Sequence, residues 1–173
     1  MNKLTYKKSK DICIMNEIDL NDTFPIFSLE ATIINTCDHT DLRGQWSVIY
    51  VYPKDNTSGC TRETKEFNER YSDFKALGVR IFGLSRDTMK SHVSFSEKLN
   101  LKFPLISDPQ TQLIQNLNAW KEKSMYGKKY MGVERSTFLI DKNLIIKRVW
   151  RKVKVNGHVD EVFNTCKELV EAS

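Results

Sequence analysis

The feature that most constrains the fold is an almost unbroken apolar run in the first third of the chain. Residues 46–52 read Trp-Ser-Val-Ile-Tyr-Val-Tyr, and Pro53 ends the run. β-Branched and aromatic residues favour strands, and a nearly continuous apolar run is typical of a strand that is covered on both faces. The sequence therefore predicts a central, buried strand over these residues.

A helix is predicted to begin near Cys60, directly after this strand. Apolar residues then recur at spacings of four, three and three, which gives the helix one apolar stripe, and Gly78 is a plausible stop. The stripe consists of Phe67, Tyr71, Phe74 and Leu77. The other predicted elements are short strands near 24–29 and 31–34, a turn at 42–45, a strand at 79–85, helices at about 89–99 and 109–117, strands at 136–140 and 144–149 joined by the turn 141–143, and a last helix with 159, 162, 163, 166, 169 and 170 on one face.

This order of elements predicts an α/β fold. Strands that alternate with helices imply parallel strands joined by crossover helices, and the hairpin near the end of the chain adds an antiparallel pair. A mixed central sheet with helices on both faces is the thioredoxin-like arrangement. We predict one such domain over residues 20–173, preceded by a polar N-terminal arm over residues 1–19.

Length and charge exclude several classes of protein. The 173 residues fit one domain, and 40% hydrophobic with 28% charged residues is ordinary for a globular chain. The net charge of +5 is spread along the sequence and mixed with acids, so we expect no nucleic-acid partner. No run is long and apolar enough to span a membrane or to act as a signal peptide, and a cytoplasmic protein is the default expectation.

Four cysteines stand at positions 13, 37, 60 and 166. They form no Cys-x-x-Cys pair, and a chain of this length can bury its own core, so a disulfide scaffold is not expected. The histidines at 39, 92 and 158 lie far apart in sequence and from the cysteines. Zinc-ligand spacing is therefore missing, and we predict no metal and no cofactor.

The stretch most indicative of chemistry is residues 52–61, Tyr-Pro-Lys-Asp-Asn-Thr-Ser-Gly-Cys-Thr. It places Cys60 in the first turn of a helix, after a buried strand and a loop. Free backbone N–H groups and the positive end of the helix dipole favour a thiolate over a thiol there. Thr57, three residues earlier, brings a hydroxyl within reach of the same sulfur. This pattern predicts a nucleophilic cysteine.

The stretch matches the active-site pattern Pro-x-x-x-Thr-x-x-Cys of the peroxiredoxins, and the string YPKDNTSGCT resembles their bacterioferritin-comigratory-protein, or peroxiredoxin Q, branch. The segments 120–134 (WKEKSMYGKKYMGVE) and 135–141 (RSTFLID) resemble the same branch, in the same order. The resemblance covers roughly residues 20–170. It implies that the chain is a thiol peroxidase of the thioredoxin-like fold, often monomeric in this branch.

The resemblance also implies roles for four residues. Cys60 would attack the peroxide, Thr57 and Arg135 would orient it, and Pro53 would shield the intermediate. A fixed guanidinium charge beside the thiolate and the polarised O–O bond is physically apt for Arg135. Glu63, one turn after Cys60, could position that arginine.

One departure from the branch concerns regeneration. Many members carry a resolving cysteine five residues after the first, where this chain has Lys65, and others carry it on the following helix, where residues 88–99 contain none. Cys37, Cys13 and Cys166 remain as candidates, although Cys166 falls on the apolar stripe of the last helix. We therefore expect a hydroperoxide substrate and an external thiol, such as thioredoxin, glutaredoxin or glutathione.

Rival functions fit less well. A thiol–disulfide oxidoreductase on the same fold normally uses Cys-x-x-Cys, whereas residues 60–63 read Cys-Thr-Arg-Glu. A phosphatase loop of the type Cys-x5-Arg needs arginine at position 66, which is Glu66. A binding or chaperone-like protein that keeps the fold without turnover is disfavoured because Cys60, Thr57 and Arg135 are all present.

Overall fold

The computed structural model describes residues 17–173 and places the apolar run in the middle of a mixed sheet. A short 3-10 helix at His39–Leu42 precedes the central strand. The elements in chain order are β1 (Ser28–Ala31), β2 (Asn35–Asp38), β3 (Trp46–Val51), α1 (Ser58–Glu69), α2 (Tyr71–Ala76), β4 (Val79–Ser85), α3 (Met89–Leu99), β5 (Leu105–Ser107), α4 (Gln112–Asn116), β6 (Trp120–Met125), β7 (Lys128–Val133), β8 (Ser136–Ile140), β9 (Ile146–Trp150) and α5 (His158–Glu171).

Within residues 17–173, seven strands form the main sheet in the order β2-β1-β5-β4-β3-β8-β9, and β6 pairs with β7 in a separate two-stranded sheet. β3, β4 and β5 are parallel, while β8 runs antiparallel to β3 and β9 antiparallel to β8. All six residues of β3 are buried. The predicted α/β class, with parallel strands in the middle and an antiparallel hairpin at one edge, is confirmed.

Alternate side chains of β3 enter two different cores, one on each face of the sheet. Ile49 and Val51 belong to the first core, with Leu113 and Ile114 of α4. Val48 and Tyr50 belong to the second core. The helices α1, α2, α3 and α5 contribute Phe67, Phe74, Phe95, Val159, Val162 and Cys166 to that second core. Helices therefore cover both faces, as the sequence predicted.

Several predicted elements need correction. The strand expected at 31–34 ends at Ala31, because residues 32–34 form the turn of the β1–β2 hairpin and Ile33 has φ = 70°. The helix expected from Pro109 begins at Gln112, because the Asp108 carboxylate accepts hydrogen bonds from the backbone N–H groups of Gln112 and Ile114.

The predicted helix after Cys60 is two helices, α1 and α2, which meet at Arg70. The hairpin β6–β7 was not predicted at all. It turns through Tyr126 and Gly127, which have φ = 50° and 75°. Two consecutive residues with positive φ are the mark of a tight two-residue hairpin turn, so Gly127 was the available signal.

The boundary of the predicted N-terminal arm stays a prediction, because residues 1–16, including Cys13, lie outside the described part of the chain. Both backbone polar groups of Ile18 bond to side chains of the domain. Its N–H donates to Asn118 Oδ1 at 2.6 Å, and its carbonyl accepts from Arg151 Nη2 at 3.0 Å. None of the helices within residues 17–173 has the length and apolar content needed to cross a membrane.

Candidate active site

Cys60 is the third residue of α1, and the loop from β3 delivers it to the end of the sheet where β3 finishes. Thr57 is the N-cap, with extended backbone, and Asn56 before it has φ = 60°. The N–H groups of the first helical turn have no intrahelical acceptors. These groups and the positive end of the helix dipole therefore lie at the turn that carries the Cys60 sulfur. Cys60 is 1% exposed and packs in the second core.

Arg135 links the sulfur to a buried carboxylate. Its Nη2 donates to Cys60 Sγ at 3.2 Å, and its Nη1 donates to Glu63 Oε2. Arg135 lies between β7 and β8. Its backbone carbonyl accepts a hydrogen bond from the N–H of Val153 at 3.0 Å, which holds the backbone of Arg135 in place. The structure therefore brings Arg135 next to Cys60 and Glu63, which precede it by 75 and 72 positions in the sequence.

The electrostatics of this cluster are unusual. Burial raises the pKa of Glu63 from 4.5 to about 7, and the charge of Arg135 opposes that rise. Burial acts to lower the pKa of Arg135, but Glu63 and Cys60 outweigh it, so the net shift is upward. Glu63 Oε1 is buried and has no hydrogen-bond partner within residues 17–173. The guanidinium thus keeps its charge at the sulfur while Glu63 titrates near neutrality.

Gly59 makes room for this arginine. A Cβ at position 59 would lie 3.3 Å from Arg135 Nη2, closer than a comfortable van der Waals contact, and 4.0 Å from a methyl group of Val155. The glycine of the Ser-Gly-Cys string is therefore explained by the approach of Arg135 to Cys60 rather than by its backbone angles.

The other two predicted site residues lie in the same loop but do not bond to the sulfur. The Thr57 hydroxyl donates to the carbonyl of Lys54 at 2.8 Å, which closes the loop before the helix. Pro53 is half-buried at the end of β3. Both residues flank Cys60, and the roles assigned to them remain predictions.

A buried polar network behind the loop was missed by the sequence analysis. Asp55 accepts from the Tyr52 hydroxyl at 2.6 Å and from the Ser91 hydroxyl at 2.9 Å, and its Oδ2 lies 2.8 Å from His92 Nδ1. The Asp55 N–H donates to Asp87 at 2.9 Å. Because β3 and β4 are parallel, their carboxyl ends meet at one edge of the sheet, which brings these residues together.

His92 received no role from the sequence, yet its ring is fully buried at the centre of this network. Nδ1 faces the Asp55 carboxylate, and Nε2 faces the carbonyl of Ile106 at 3.1 Å. The Ser85 hydroxyl also lies 3.5 Å from Nε2, so the ring has polar partners on both sides. The carboxylates of Asp55 and Asp87 and the ring of His92 are close enough to hold a metal ion, but their facing atoms already serve hydrogen bonds within the network.

The other described cysteines lie away from Cys60. Cys37, one of the candidates for a resolving cysteine, is a buried residue of β2 in the first core, on the opposite face of the sheet from Cys60. Cys166 is buried in the second core on the apolar face of α5, as predicted. Burial raises the pKa of each of these thiols to about 12, which disfavours the reactive thiolate.

The position of Cys166 along α5 can be read from contacts with α1. Arg62, near the start of α1, bonds to Asn156, and Arg70, after its end, contacts Asp160 and the Phe163 ring. The two helices therefore run side by side in the same direction. Cys166 lies about 12 Å beyond the first residue of α5, at 1.5 Å per residue, and so far past the level of Cys60.

A groove of about 520 Å³ opens beside the loop that carries Pro53 and Lys54. Its far wall is the β6–β7 hairpin, which contributes Tyr130 and Met131. Met131 is 48% exposed there. The groove gives a solvent approach to the loop that precedes Cys60.

Comparison with known proteins identifies the family. The AhpC/TSA family profile matches residues 20–149. Peroxiredoxin Bcp of Bacillus subtilis is 41% identical over 154 residues, which cover 89% of this chain and 98% of the relative. Peroxiredoxin Bcp of Xanthomonas campestris is 48% identical over 124 residues, which cover 72% and 78%.

Solved structures agree. The bacterioferritin comigratory protein of Xanthomonas campestris, studied for its alkyl peroxide reduction activity, superposes with a TM-score of 0.81 at 39% identity, covering 86% of this chain and 99% of that one. A cysteine-to-serine mutant of Xylella fastidiosa PrxQ gives 0.83 at 39% identity, covering 87% and 96%. These neighbours confirm the thioredoxin-like fold. The chain belongs to the AhpC/TSA family, in its bacterioferritin-comigratory-protein or peroxiredoxin Q branch, and is a peroxiredoxin.

Proposed function

We propose that this peroxiredoxin reduces hydrogen peroxide and organic hydroperoxides through a sulfenic acid on Cys60, and that an external thiol recycles it. The observation that carries the proposal is the contact of 3.2 Å between Cys60 Sγ and Arg135 Nη2 at the start of a helix. A thiolate at this position has a fixed cation beside it and the helix dipole behind it. Both also favour the negative charge that moves onto the leaving oxygen.

The reductive step follows from this geometry. The Cys60 thiolate attacks the terminal oxygen of ROOH, an S–O bond forms, and the O–O bond breaks. The alkoxide takes one proton and leaves as ROH, while Cys60 becomes a sulfenic acid. Arg135 neutralises the charge as it moves from sulfur to oxygen. Thr57 and Pro53, on the loop, orient the peroxide and shield the sulfenic acid from further oxidation.

The recycling step needs two external thiols or one dithiol. The first thiol attacks the Cys60 sulfur, releases water and forms a mixed disulfide, and the second thiol frees Cys60 as a disulfide departs. Cys37 is on the far face of the sheet, and Cys166 lies far along α5. A disulfide requires Cα atoms within about 7 Å, so either partner would demand unfolding of buried structure. Thioredoxin, glutaredoxin or glutathione is the reductant class we assign, and the role is antioxidant defence.

A monomeric state and a cytoplasmic location remain predictions from the sequence, as does the absence of any metal or cofactor requirement. Cys13 lies outside the described residues, so its position relative to Cys60 is not described.

Peroxide consumption with thioredoxin and its reductase tests the proposal. Cys60→Ser should abolish turnover, while Cys166→Ser, the matched control in the same core, should keep it. Oxidation without reductant, followed by blocking of free thiols and digestion, should show a Cys60 sulfenic acid. A Cys60→Ser protein that still consumed peroxide would refute the catalytic assignment, and a stoichiometric disulfide from Cys60 to Cys13, Cys37 or Cys166 would refute external recycling.

A further inference from the structure

A second cavity lies at the opposite end of the sheet from Cys60. It has a volume of about 310 Å³ and is bounded by the beginning of β4, at residues 78–82, and by residues 102–104 before β5. Cys60 follows the carboxyl end of β3, and these three strands are parallel. The active-site residues Cys60, Arg135 and Glu63 take no part in its lining, so its chemistry is separate from that of the thiol.

Unpartnered polar atoms lie at this cavity, on Arg80, and on the neighbouring strand, on Ser47. Arg80, which lines it, has Nε and Nη2 buried without a hydrogen-bond partner within residues 17–173. Ser47 is the register partner of Arg80 on β3, and its buried hydroxyl is also unpartnered in the same part of the chain. These are three of the four such buried side-chain atoms, the fourth being Glu63 Oε1. Buried donors without acceptors are costly, so this cluster requires an acceptor.

The two free atoms of Arg80 define the geometry of that acceptor. Nε and Nη2 form one edge of the planar guanidinium, and such an edge donates two parallel hydrogen bonds to a carboxylate or a phosphate. Asp41 lines the cavity too, but its Oδ2 accepts from the backbone N–H of Asp38 at 2.8 Å. Burial lowers the pKa of Arg80, and the negative charge of Asp41 opposes that shift only in part.

The other residues that line the cavity indicate which kind of anion it would bind. Lys75 and Lys102 are exposed at the cavity, so with Arg80 it has three cationic groups against the one acid, Asp41. The other walls are largely apolar, formed by Ile33, Ile34, Ile81, Phe82, Phe103 and Pro104. A volume of about 310 Å³ is at the small end of ligand cavities, which span about 300–1,000 Å³. A small anion with a short hydrocarbon tail fits this combination better than a bare phosphate.

Ile33 adds an independent sign of a binding surface. It is 62% exposed at the cavity, and its φ of 70° is strained for a β-branched residue. A strained backbone that presents an apolar side chain to solvent costs stability, and strained residues concentrate at functional sites. Ile34, beside it, is 42% exposed.

We propose that this cavity is a binding site for a small amphipathic carboxylate, with the hydrocarbon tail against Ile33, Phe82 and Phe103. Because Nε and Nη2 of Arg80 are buried, the Arg80 side chain turns on binding to present this edge to the carboxylate. Lys75 and Lys102 attract the anion at the entrance. The site is distant from Cys60, so its ligand is not a peroxide undergoing reduction.

Octanoate is the probe, titrated against the whole reduced protein and followed by isothermal calorimetry and by NMR of backbone amides and of the Arg80 Nε–H. Saturable binding should shift the Arg80, Phe82 and Phe103 signals, whereas 1-octanol and acetate should bind far more weakly. Arg80→Gln should weaken octanoate at least tenfold, and Lys102→Gln, an exposed residue, several-fold. Lys128→Gln removes the same charge from the β6–β7 hairpin and should change nothing.

Three outcomes would overturn the proposal: no saturable binding, shifts confined to the groove beside Pro53, or equal binding by Arg80→Gln. Inorganic phosphate that matched octanoate at the same signals would overturn the assignment to a carboxylate with a tail. If Arg80→Gln failed to fold, Arg80→Lys, which keeps the charge and loses the two-pronged edge, should weaken binding and would take its place.

Discussion

Two buried polar clusters lie beside the loop that leads to Cys60, and they differ in how completely their polar groups are bonded. In the Asp55–His92 network each carboxylate oxygen of Asp55 and each ring nitrogen of His92 faces a partner at 2.6 to 3.1 Å. In the Cys60–Arg135–Glu63 cluster one oxygen of Glu63 is left without a partner within the described chain.

This difference indicates that the Asp55–His92 network supports the loop, whereas the Cys60–Arg135–Glu63 cluster takes part in the reaction. A fully bonded buried network is rigid, and it holds the backbone of the loop in place through the Asp55 N–H and the Tyr52 hydroxyl. The incompletely bonded cluster stands next to the reactive sulfur, where a charge must change during the reaction. We therefore expect substitutions in the network to act on stability, and substitutions in the cluster to act on pH dependence and rate.

The largest effect is expected for Asp55→Asn. The amide keeps only one acceptor oxygen, so its N–H group must face either the Tyr52 hydroxyl or the donors of Ser91 and His92. Breaking a buried pair of this kind costs about 3–5 kcal/mol. Urea denaturation should show that loss in the free energy of unfolding. Ser91→Ala, which removes one hydrogen bond, should cost only about 1 kcal/mol; equal small losses in both variants would show that the network is not a buried ion pair.

Glu63→Gln should change how stability depends on pH. The pKa of Glu63 is raised in the folded state, so its contribution is fully present below about pH 4.5 and is lost as the pH rises through about 7. Each pKa unit corresponds to about 1.4 kcal/mol, so the difference between wild type and Glu63→Gln should change by roughly 2–3 kcal/mol over that range. Parallel stability curves for the two proteins from pH 4.5 to 8 would contradict the raised pKa.

Arg135→Ala should slow the reaction of Cys60 with peroxide at least tenfold, or about 1.4 kcal/mol, because the sulfur loses its adjacent cation. Stopped-flow measurement under single-turnover conditions isolates this step. Arg62→Ala is the control. Arg62 is an exposed arginine of α1, the helix that carries Cys60, and it bonds to Glu66 and Asn156. Equal rates in the two variants would place Arg135 outside the chemistry.

Gly59→Ala is the mildest test. The added Cβ forces Arg135 Nη2 to move by a few tenths of an ångström, and we expect a two- to fivefold loss of the peroxide rate with little change in stability. This corresponds to less than about 1 kcal/mol. Ser58→Ala, one position earlier, should keep the wild-type rate. A rate unaffected by Gly59→Ala would mean that the position of Arg135 tolerates more freedom than the comparison of the two clusters implies.

The strands and helices around the site were predictable because their signals are local. β4, α3 and β8 begin and end at the residues that the apolar patterns indicated. The β6–β7 hairpin is rich in lysine and has no buried face to produce an apolar alternation. At Ile33 the sequence predicted a strand that does not form, since a β-branched residue favours a strand and here occupies a turn.

The candidate site divides in the same way. Cys60 follows from its position after a strand and at a helix start, and Glu63 from its spacing of one turn. Arg135 was found through a resemblance, because no local pattern connects it to Cys60. The pairing of Asp55 with His92, 37 residues apart, depends on the parallel register of two strands, and no signal in the sequence reports that register.

The exposed Met131 at the groove affects how the chemistry of this protein is observed. A thioether that meets peroxide gains one oxygen atom as a sulfoxide, which is the same mass that a thiol gains as a sulfenic acid. Met125, on the same hairpin, is exposed as well. An intact mass one oxygen heavier is therefore ambiguous for this chain, which has five methionines, and fragmentation to the residue is needed to assign that oxygen to Cys60.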